Sequence, residues 1–295
     1  MTATPIGARI AGAPISWGVC EAPGWGCELT PDRVLGEMRA LGLRASELGP
    51  TGYLGSQPAE VCDRLNHYDM QLVGGFLPVP LHVDPALDLT SATEAIAILA
   101  AAGSDVVVIA ASSVDGSYDR KMTLSEGEWK ILASNVARLQ EVIAAHGMTA
   151  TLHPHVGTAI EDRDSVLRLL GVSDIKLCLD TGHLLIGGMQ PVELLNRAAD
   201  RVAHVHLKDV RTSVATSVAA GAITYLEGVR AGLYAPLGEG DLDIAGVVSA
   251  LERVGYQGWY VLEQDCALHD PPPPGAGPML DVGRSIDFLT SVMTP

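Results

Sequence analysis

The chain has 295 residues, 47% of them hydrophobic, enough to bury one large core as a single domain. Its formal net charge of -16 argues against a nucleic-acid partner, whose phosphates want a basic face. No run reaches the ~18 apolar residues of a membrane span, and the N-terminus lacks the charged-then-apolar pattern of a signal peptide. A soluble, cytoplasmic protein is expected. Its five cysteines, Cys20, Cys27, Cys62, Cys178 and Cys266, are an odd number without paired spacing and fit reduced thiols.

Taken in order, Arg9 to Trp17 reads as a first strand with small residues facing a crowded interior, followed by a Gly/Pro/Cys-rich loop. Thr30-Pro31 starts a helix over 32–41, with Pro in the first turn where its missing donor is harmless. Leu43 to Leu48 is a second strand, 58–68 a helix, and Gln71 to Leu77 a third strand. An Ala-rich helix over 91–102 precedes the continuous apolar strand Asp105 to Ala111, a pattern buried on both faces. Leu124 to His146 is a long amphipathic helix with Ile131, Val136, Leu139, Val142 and Ile143 as its apolar stripe.

The second half repeats the alternation. Strands are expected at 149–155, from 175 to a Gly turn where Asp180 and His183 stand, at 202–209 and from Trp259, with helices at 164–170, 191–199, 244–254 and 279–293. An insertion near 211–240 reads as helical at first and then as a loop. Pro271 to Pro274 reads as a stiff spacer. About eight strand–helix rounds in under 300 residues call for parallel strands with crossover helices. They favour a single closed (β/α)₈ barrel spanning 1–295, with the active site at the carboxyl ends of the strands. The open doubly wound alternative lacks a Gly-x-Gly-x-x-Gly after its first strand.

Four of those strand ends carry acidic or imidazole groups. Thr149 to His155 ends in His153 and His155, Ile175 to His183 delivers Asp180 and His183, Val202 to Asp209 alternates through His204 and His206, and the last strand ends in Glu263. Such a mix of oxygen and nitrogen donors suits a divalent metal. Asp180 also reads as a helix N-cap. Glu263 follows an apolar run, and a carboxylate entering a barrel interior without a cation is costly. Alternation puts His204 and His206 on one face, with His204 the deeper, a core or supporting histidine. His153 and His155 stay unordered between metal and substrate. His183 touches substrate or metal, or merely holds its loop. Lys208 either stabilises an oxyanion or is a surface lysine. Glu47 binds hydroxyls or moves protons, and Trp17 walls a sugar site or plugs the barrel.

These residues resemble the xylose-isomerase-like barrel superfamily of sugar isomerases and epimerases. The resemblance runs through Ala13–Trp17, Glu47-Leu48-Gly49, His153–Thr158, Asp180-Thr-Gly-His183, His204–Arg211, Gly238–Asp241 and Gly255–Glu263. The His-x-His-x-Gly-Thr segment is narrower and is similar to the inosose dehydratases within it. The resemblance implies a divalent metal, Mn²⁺ or Co²⁺ favoured and Zn²⁺ or Mg²⁺ admitted, with Asp180, His206 and Glu263 matching three of four ligands. The fourth, a glutamate on the fifth strand of the epimerases, is His153 here. It further implies dehydration of a keto-inositol to a dione-type product, with isomerisation or epimerisation of a keto-sugar as the alternative. A non-catalytic polyol-binding barrel is the third reading. In the dehydratase reading His153, His155 or Glu263 is the base, His183 or Glu47 the acid, and Lys208 steadies the negative charge. Trp17, His183 and Lys208 would bind substrate. The partner is a small polyol or keto-sugar, with a homo-oligomer compatible.

Overall fold

The computed structural model describes residues 6–293. Eight barrel strands follow one another: β1 (Ile10–Gly12), β2 (Ala45–Glu47), β3 (Gln71–Gly74 and Phe76–Pro78), β4 (Val106–Ala110), β5 (Thr149–Leu152), β6 (Lys176–Asp180), β7 (Val202–Leu207) and β8 (Tyr260–Leu262). Each pairs in parallel with its neighbour, and β1 pairs with β8. The two segments of β3 close the ring: the first pairs with β2 and the second with β4. The break falls at Gly75, where an added Cβ would meet Leu99 of the following helix at 2.5 Å.

Strand periodicity of two decides what faces inward. Leu177, Leu179, Val205, Leu207, Tyr260 and Leu262 face the helices and join the main apolar core. Ala11, Ala13, Ala45, Val73 and Val261 form a separate interior cluster. These small residues leave room in the barrel for larger polar ones further along the same strands. The continuous apolar strand expected at 105–111 is β4, with Val107, Val108, Ile109 and Ala110 all fully buried.

The outer helices include α1 (Pro31–Ala40), α2 (Pro58–His67), α3 (Thr90–Ala101), α4 (Glu126–Ala145), α5 (Arg163–Val172), α6 (Thr181–Ile186) and α7 (Pro191–Ala198). Thr30 caps α1 ahead of Pro31, and a reciprocal Ser125–Glu128 capping box starts α4. The buried stripe of α4 is Trp129, Leu132, Val136, Leu139 and Ile143, turned slightly from the expected one; Ile131 and Val142 lie at its margin.

Most strands are shorter than the sequence pattern, and three of their ends decide where site residues fall. The first ends at Gly12, and Pro14–Trp17 is a 3₁₀ turn, because Pro14 lacks the donor that a ladder needs. The fifth ends at Leu152, leaving His153 and His155 in the connection that follows. The sixth ends at Asp180, where α6 begins at once.

The insertion folds more fully than expected. It forms α8 (Thr212–Ala219), α9 (Tyr225–Arg230) and a two-residue strand, Tyr234–Ala235, antiparallel to Asp209–Val210. Asp209 fastens its return: its carboxylate accepts from the backbone N–H groups of Gly238, Gly240 and Leu242. Asp243 then caps α10 (Ile244–Arg253), and α11 (Pro278–Met293) closes the fold. No helix among the described residues is long and apolar enough to cross a membrane. The five cysteines are all free.

Candidate active site

At the carboxyl ends of β5 to β8, four buried or nearly buried side chains meet. His153, Asp180, His206 and Glu263 each offer one donor atom, and these atoms lie within 4.8 Å of one another. His153 Nε2 is 3.4 Å from Asp180 Oδ2, and His206 Nδ1 is 2.6 Å from Glu263 Oε2 and 3.7 Å from Asp180 Oδ2. All four of these atoms are buried without a hydrogen-bond partner. Buried polar atoms are nearly always partnered, so four orphans at one point need an explanation.

Tautomers supply it. Glu47 Oε1 lies 2.8 Å from His204 Nε2 and 3.0 Å from His206 Nε2. A carboxylate oxygen accepts, so both Nε2 atoms carry hydrogen, and Nδ1 of His206 is the nitrogen left to face two carboxylate oxygens. Burial opposes charge on this imidazole, yet the groups around it, Glu263 and Glu47 among them, raise its pKa well above the ordinary value. Something positive belongs between Nδ1 and those oxygens. Donors bound to one ion at about 2.1 Å lie roughly 3–3.5 Å apart, close to most of the spacings here. A second grouping, His153, Cys178 and His206, has no carboxylate, and burial pushes the Cys178 thiol up to about 11, away from the thiolate a metal needs.

Each carboxylate is held ionised. Burial alone would raise the pKa of Asp180, yet Lys208 and the surrounding imidazoles keep it well below the ordinary value. Asp180 is also the N-cap of α6: Oδ1 accepts from the His183 backbone N–H at 2.8 Å while Oδ2 faces the cluster. The two sequence readings of this residue use different oxygens. Burial likewise opposes ionisation of Glu263 and Glu47, and His206 lowers both; Lys208 adds to the effect on Glu263 and His204 to that on Glu47. Glu47 is therefore a carboxylate and a poor proton donor.

Lys208 is 1% exposed, which removes the surface-lysine reading. Its Nζ lies 2.7 Å from Asp265 Oδ1, 2.9 Å from His183 Nε2 and 3.4 Å from Glu263 Oε2. Burial would strip its proton, but Asp265, Glu263 and Asp180 keep its pKa well above the ordinary value. Asp265 is anchored in turn: Tyr225 donates to its Oδ2 at 2.7 Å, and Tyr234 lies 2.8 Å from the Tyr225 hydroxyl.

A cavity opens above these groups. Glu47, His153, His155, Lys208, Glu263 and Asp265 line its polar side. Ile15, Trp25, Phe76, Tyr118 and Tyr225 line its apolar side. His155 hydrogen-bonds the Val156 carbonyl through Nδ1 at 2.7 Å, so Nδ1 is the protonated nitrogen and Nε2 has the lone pair. Burial, helped by His153 and Lys208, drives its pKa well below 6.5.

Two expected substrate contacts are absent from the cavity lining. His183 is fully buried, stacked on His155 with ring centroids 3.8 Å apart and held by Lys208. It backs the site instead of facing it. Trp17 is fully buried, and its Nε1 donates to Glu37 Oε2 of α1 at 2.8 Å, so it packs beneath the mouth. Trp25 takes the wall position, with Nε1 donating to the Cys266 carbonyl. Sequence reasoning missed Trp25, Phe76, Tyr118, Tyr225, Tyr234 and Asp265. For Asp265 a signal existed: it lies two residues past Glu263, and β8 already alternates.

Residues 36–291 match the family described as xylose isomerase-like TIM barrel. The inosose dehydratase of Geobacillus thermodenitrificans (strain NG80-2) is 31% identical over 275 residues, covering 88% of this chain and 91% of that one. Among solved structures, L-ribulose 3-epimerase superposes with a TM-score of 0.70 at 17% identity, over 97% of this chain and 94% of that one. The IolI protein with a bound zinc atom superposes with a TM-score of 0.69 at 12% identity, over 97% and 98%. The last two are likenesses of fold.

Proposed function

The chain belongs to the family of xylose isomerase-like TIM barrels, and we propose that it dehydrates a cyclic keto-polyol, 2-keto-myo-inositol, with the help of a divalent metal ion. That makes it a carbon–oxygen lyase of the kind its inosose dehydratase relatives are named for. The observation that carries this reading is the meeting of four orphaned donor atoms beside a buried ammonium in a ring-walled cavity.

His153, Asp180, His206 and Glu263 would hold the ion; the donors suit Mn²⁺ or Co²⁺, and Zn²⁺ also tolerates this set. When bound, such an ion supplies Lewis acidity to a ketone oxygen. The chain's own residues do the rest. Trp25, Phe76 and Tyr118 exclude water from one face of the ring. Lys208 presents a fixed positive charge where the carbonyl oxygen becomes negative, an arrangement that needs no reorganisation during the reaction. His155, neutral and with Nε2 free, accepts the proton from the carbon next to the ketone. The imidazolium then gives that proton to the hydroxyl on the following carbon, which departs as water. One C–H and one C–O bond break and a C=C bond forms, giving an enol whose hydroxyl proton then moves to carbon as it tautomerises to the dione.

The test is turnover of 2-keto-myo-inositol by metal-loaded protein in D₂O. The expected result is loss of water with a dione absorbing in the ultraviolet. Deuterated substrate or isomer, without loss of water, would assign proton exchange and epimerisation instead. Polyol binding that a chelator leaves untouched would assign a non-catalytic barrel.

A further inference from the structure

A second cluster beneath the first contains Glu47, His204 and His206, with donor atoms also within 4.8 Å. It is not a second ion cage. One oxygen, Glu47 Oε1, accepts from both imidazoles at 2.8 and 3.0 Å, so two of the three groups present hydrogens to the third. Both histidines are 1% exposed and Glu47 is 4% exposed, too buried for water to substitute easily.

The backbone is cut to fit this triad. The register of β2 against β3 shifts between Ser46 and Glu47, which puts Glu47 opposite Gly74. A Cβ on Gly74 would stand 2.8 Å from Glu47 Oε1 and 3.3 Å from His204 Nε2. Any side chain there displaces the carboxylate. Gly74 is needed for that space and not for its conformational freedom, since it has no positive φ.

We infer that Glu47 is a positioning residue for the ion site: with His204 sharing its oxygen, it fixes the tautomer and ring orientation of His206, so that Nδ1 faces Asp180 and Glu263. The inference rests on the metal-dependent reading above. His204 matters because Oε1 bonds both imidazoles at once, so the carboxylate is located by two donors and is not free to swing toward substrate through that oxygen. A carboxylate behind a ligating imidazole also raises its basicity, and removal of such a partner typically lowers metal affinity 10–100-fold.

The experiment measures Co²⁺ affinity by chelator competition and the visible Co²⁺ absorption band, neither of which needs turnover. Glu47→Gln keeps size but gives up the charge. Gly74→Ala keeps every polar group but pushes the carboxylate from His206. Both should weaken Co²⁺ binding by about 10–100-fold and shift the band, with the metal-free melting temperature close to that of the parent. Asp180→Asn is the control. If it loses Co²⁺ while Glu47→Gln and Gly74→Ala bind as the parent with an unchanged band, the positioning role is overturned and the ion site stands. A purely structural Glu47 would give that same result with a lowered metal-free melting temperature. If Asp180→Asn itself binds Co²⁺ as tightly as the parent, the ion site is misplaced and both readings fall.

Discussion

Beneath the cavity, as its floor, Asp180, His206 and Glu263 stand at the ends of three adjacent strands, with Glu263 reaching the lining; in the roof, Trp25, Tyr118 and Tyr225 come from three connections far apart in sequence. The floor is positioned by parallel ladders and by buried hydrogen bonds such as those of Glu47. The roof is positioned by its own small apolar cluster, with Trp25, Val156, Val210, Tyr225, Leu233 and Tyr234 at its centre. Single hydrogen bonds then tie its segments together. Arg230 donates to the carbonyls of Gly24 and Trp25, Asp119 accepts from the Tyr225 backbone, and Tyr118 donates to Glu21. The floor therefore sets the chemistry, and the roof sets what reaches it. Lys208 and Asp265 join the two, because Asp265 is held from above by Tyr225 and from the side by Lys208.

The comparison breaks most sharply at Asp180. Asp180→Asn removes an anionic donor from the floor while leaving an oxygen able to cap α6. Turnover should fall on the order of 10³-fold, as several kcal/mol of charge stabilisation go with the ion. Metal content by elemental analysis should fall with it, and helix content should not. Full metal and full activity in this variant would remove the floor from the chemistry.

Lys208→Met should lower kcat by roughly 10²–10³, the usual effect of losing one oxyanion donor. It should also destabilise the fold, because Asp265 is left as a buried carboxylate with Tyr225 as its remaining donor, a loss of about 3–5 kcal/mol. Adding Asp265→Leu should restore much of the melting temperature and none of the rate. If the double variant recovers both, the lysine is structural only.

Tyr225→Phe takes the roof's donor from Asp265 and unlinks Tyr234. A hydrogen bond to a charged group is worth about 1.5–3 kcal/mol, so melting temperature should drop measurably. The rate should fall only around tenfold, since Lys208 keeps its own contact with Asp265. A loss as large as that of Lys208→Met would mean that the roof takes part in the chemistry directly.

The same division explains what could be read from the sequence. Strand–helix alternation made the barrel legible, and its rule for strand ends made Asp180, His206 and Glu263 visible. His153 and His155 were visible as a pair but not in order. Their separation depends on where β5 stops and on a hydrogen bond between His155 and its neighbour's carbonyl, neither of which has a sequence signature. The burial of Lys208 was hidden because three carboxylates distant in sequence, Asp180 at the end of β6 and Glu263 and Asp265 just past β8, compensate it. The roof residues were hidden for a more general reason: loops carry no periodicity, and tertiary packing alone brings 25, 118 and 225 together. A tryptophan in the Gly/Pro-rich loop after β1 was the one hint of Trp25.

The smallest kinetic effect should come from Trp17, which the sequence reads as either a sugar wall or a barrel plug. Trp17 lies fully buried in the main core, with its indole N–H on Glu37 Oε2, and its side chain does not line the cavity. Glu37 also binds Arg33 and the Gly275 backbone N–H, so it ties α1 to the segment that follows the proline run. Trp17→Phe keeps an aromatic ring but removes the N–H and some volume, leaving Glu37 short of one donor. Stability should fall by about 1–3 kcal/mol from that loss, with a further cavity contribution. Neither KM nor kcat should move. Trp25→Leu is the counterpart in the roof: it removes part of the ring wall, so KM should rise several-fold at nearly constant kcat, the mark of lost ground-state binding. Melting curves and steady-state kinetics on the two variants separate a tryptophan that supports the barrel from one that meets substrate. A raised KM in Trp17→Phe with an unchanged melting temperature would return Trp17 to the sugar wall.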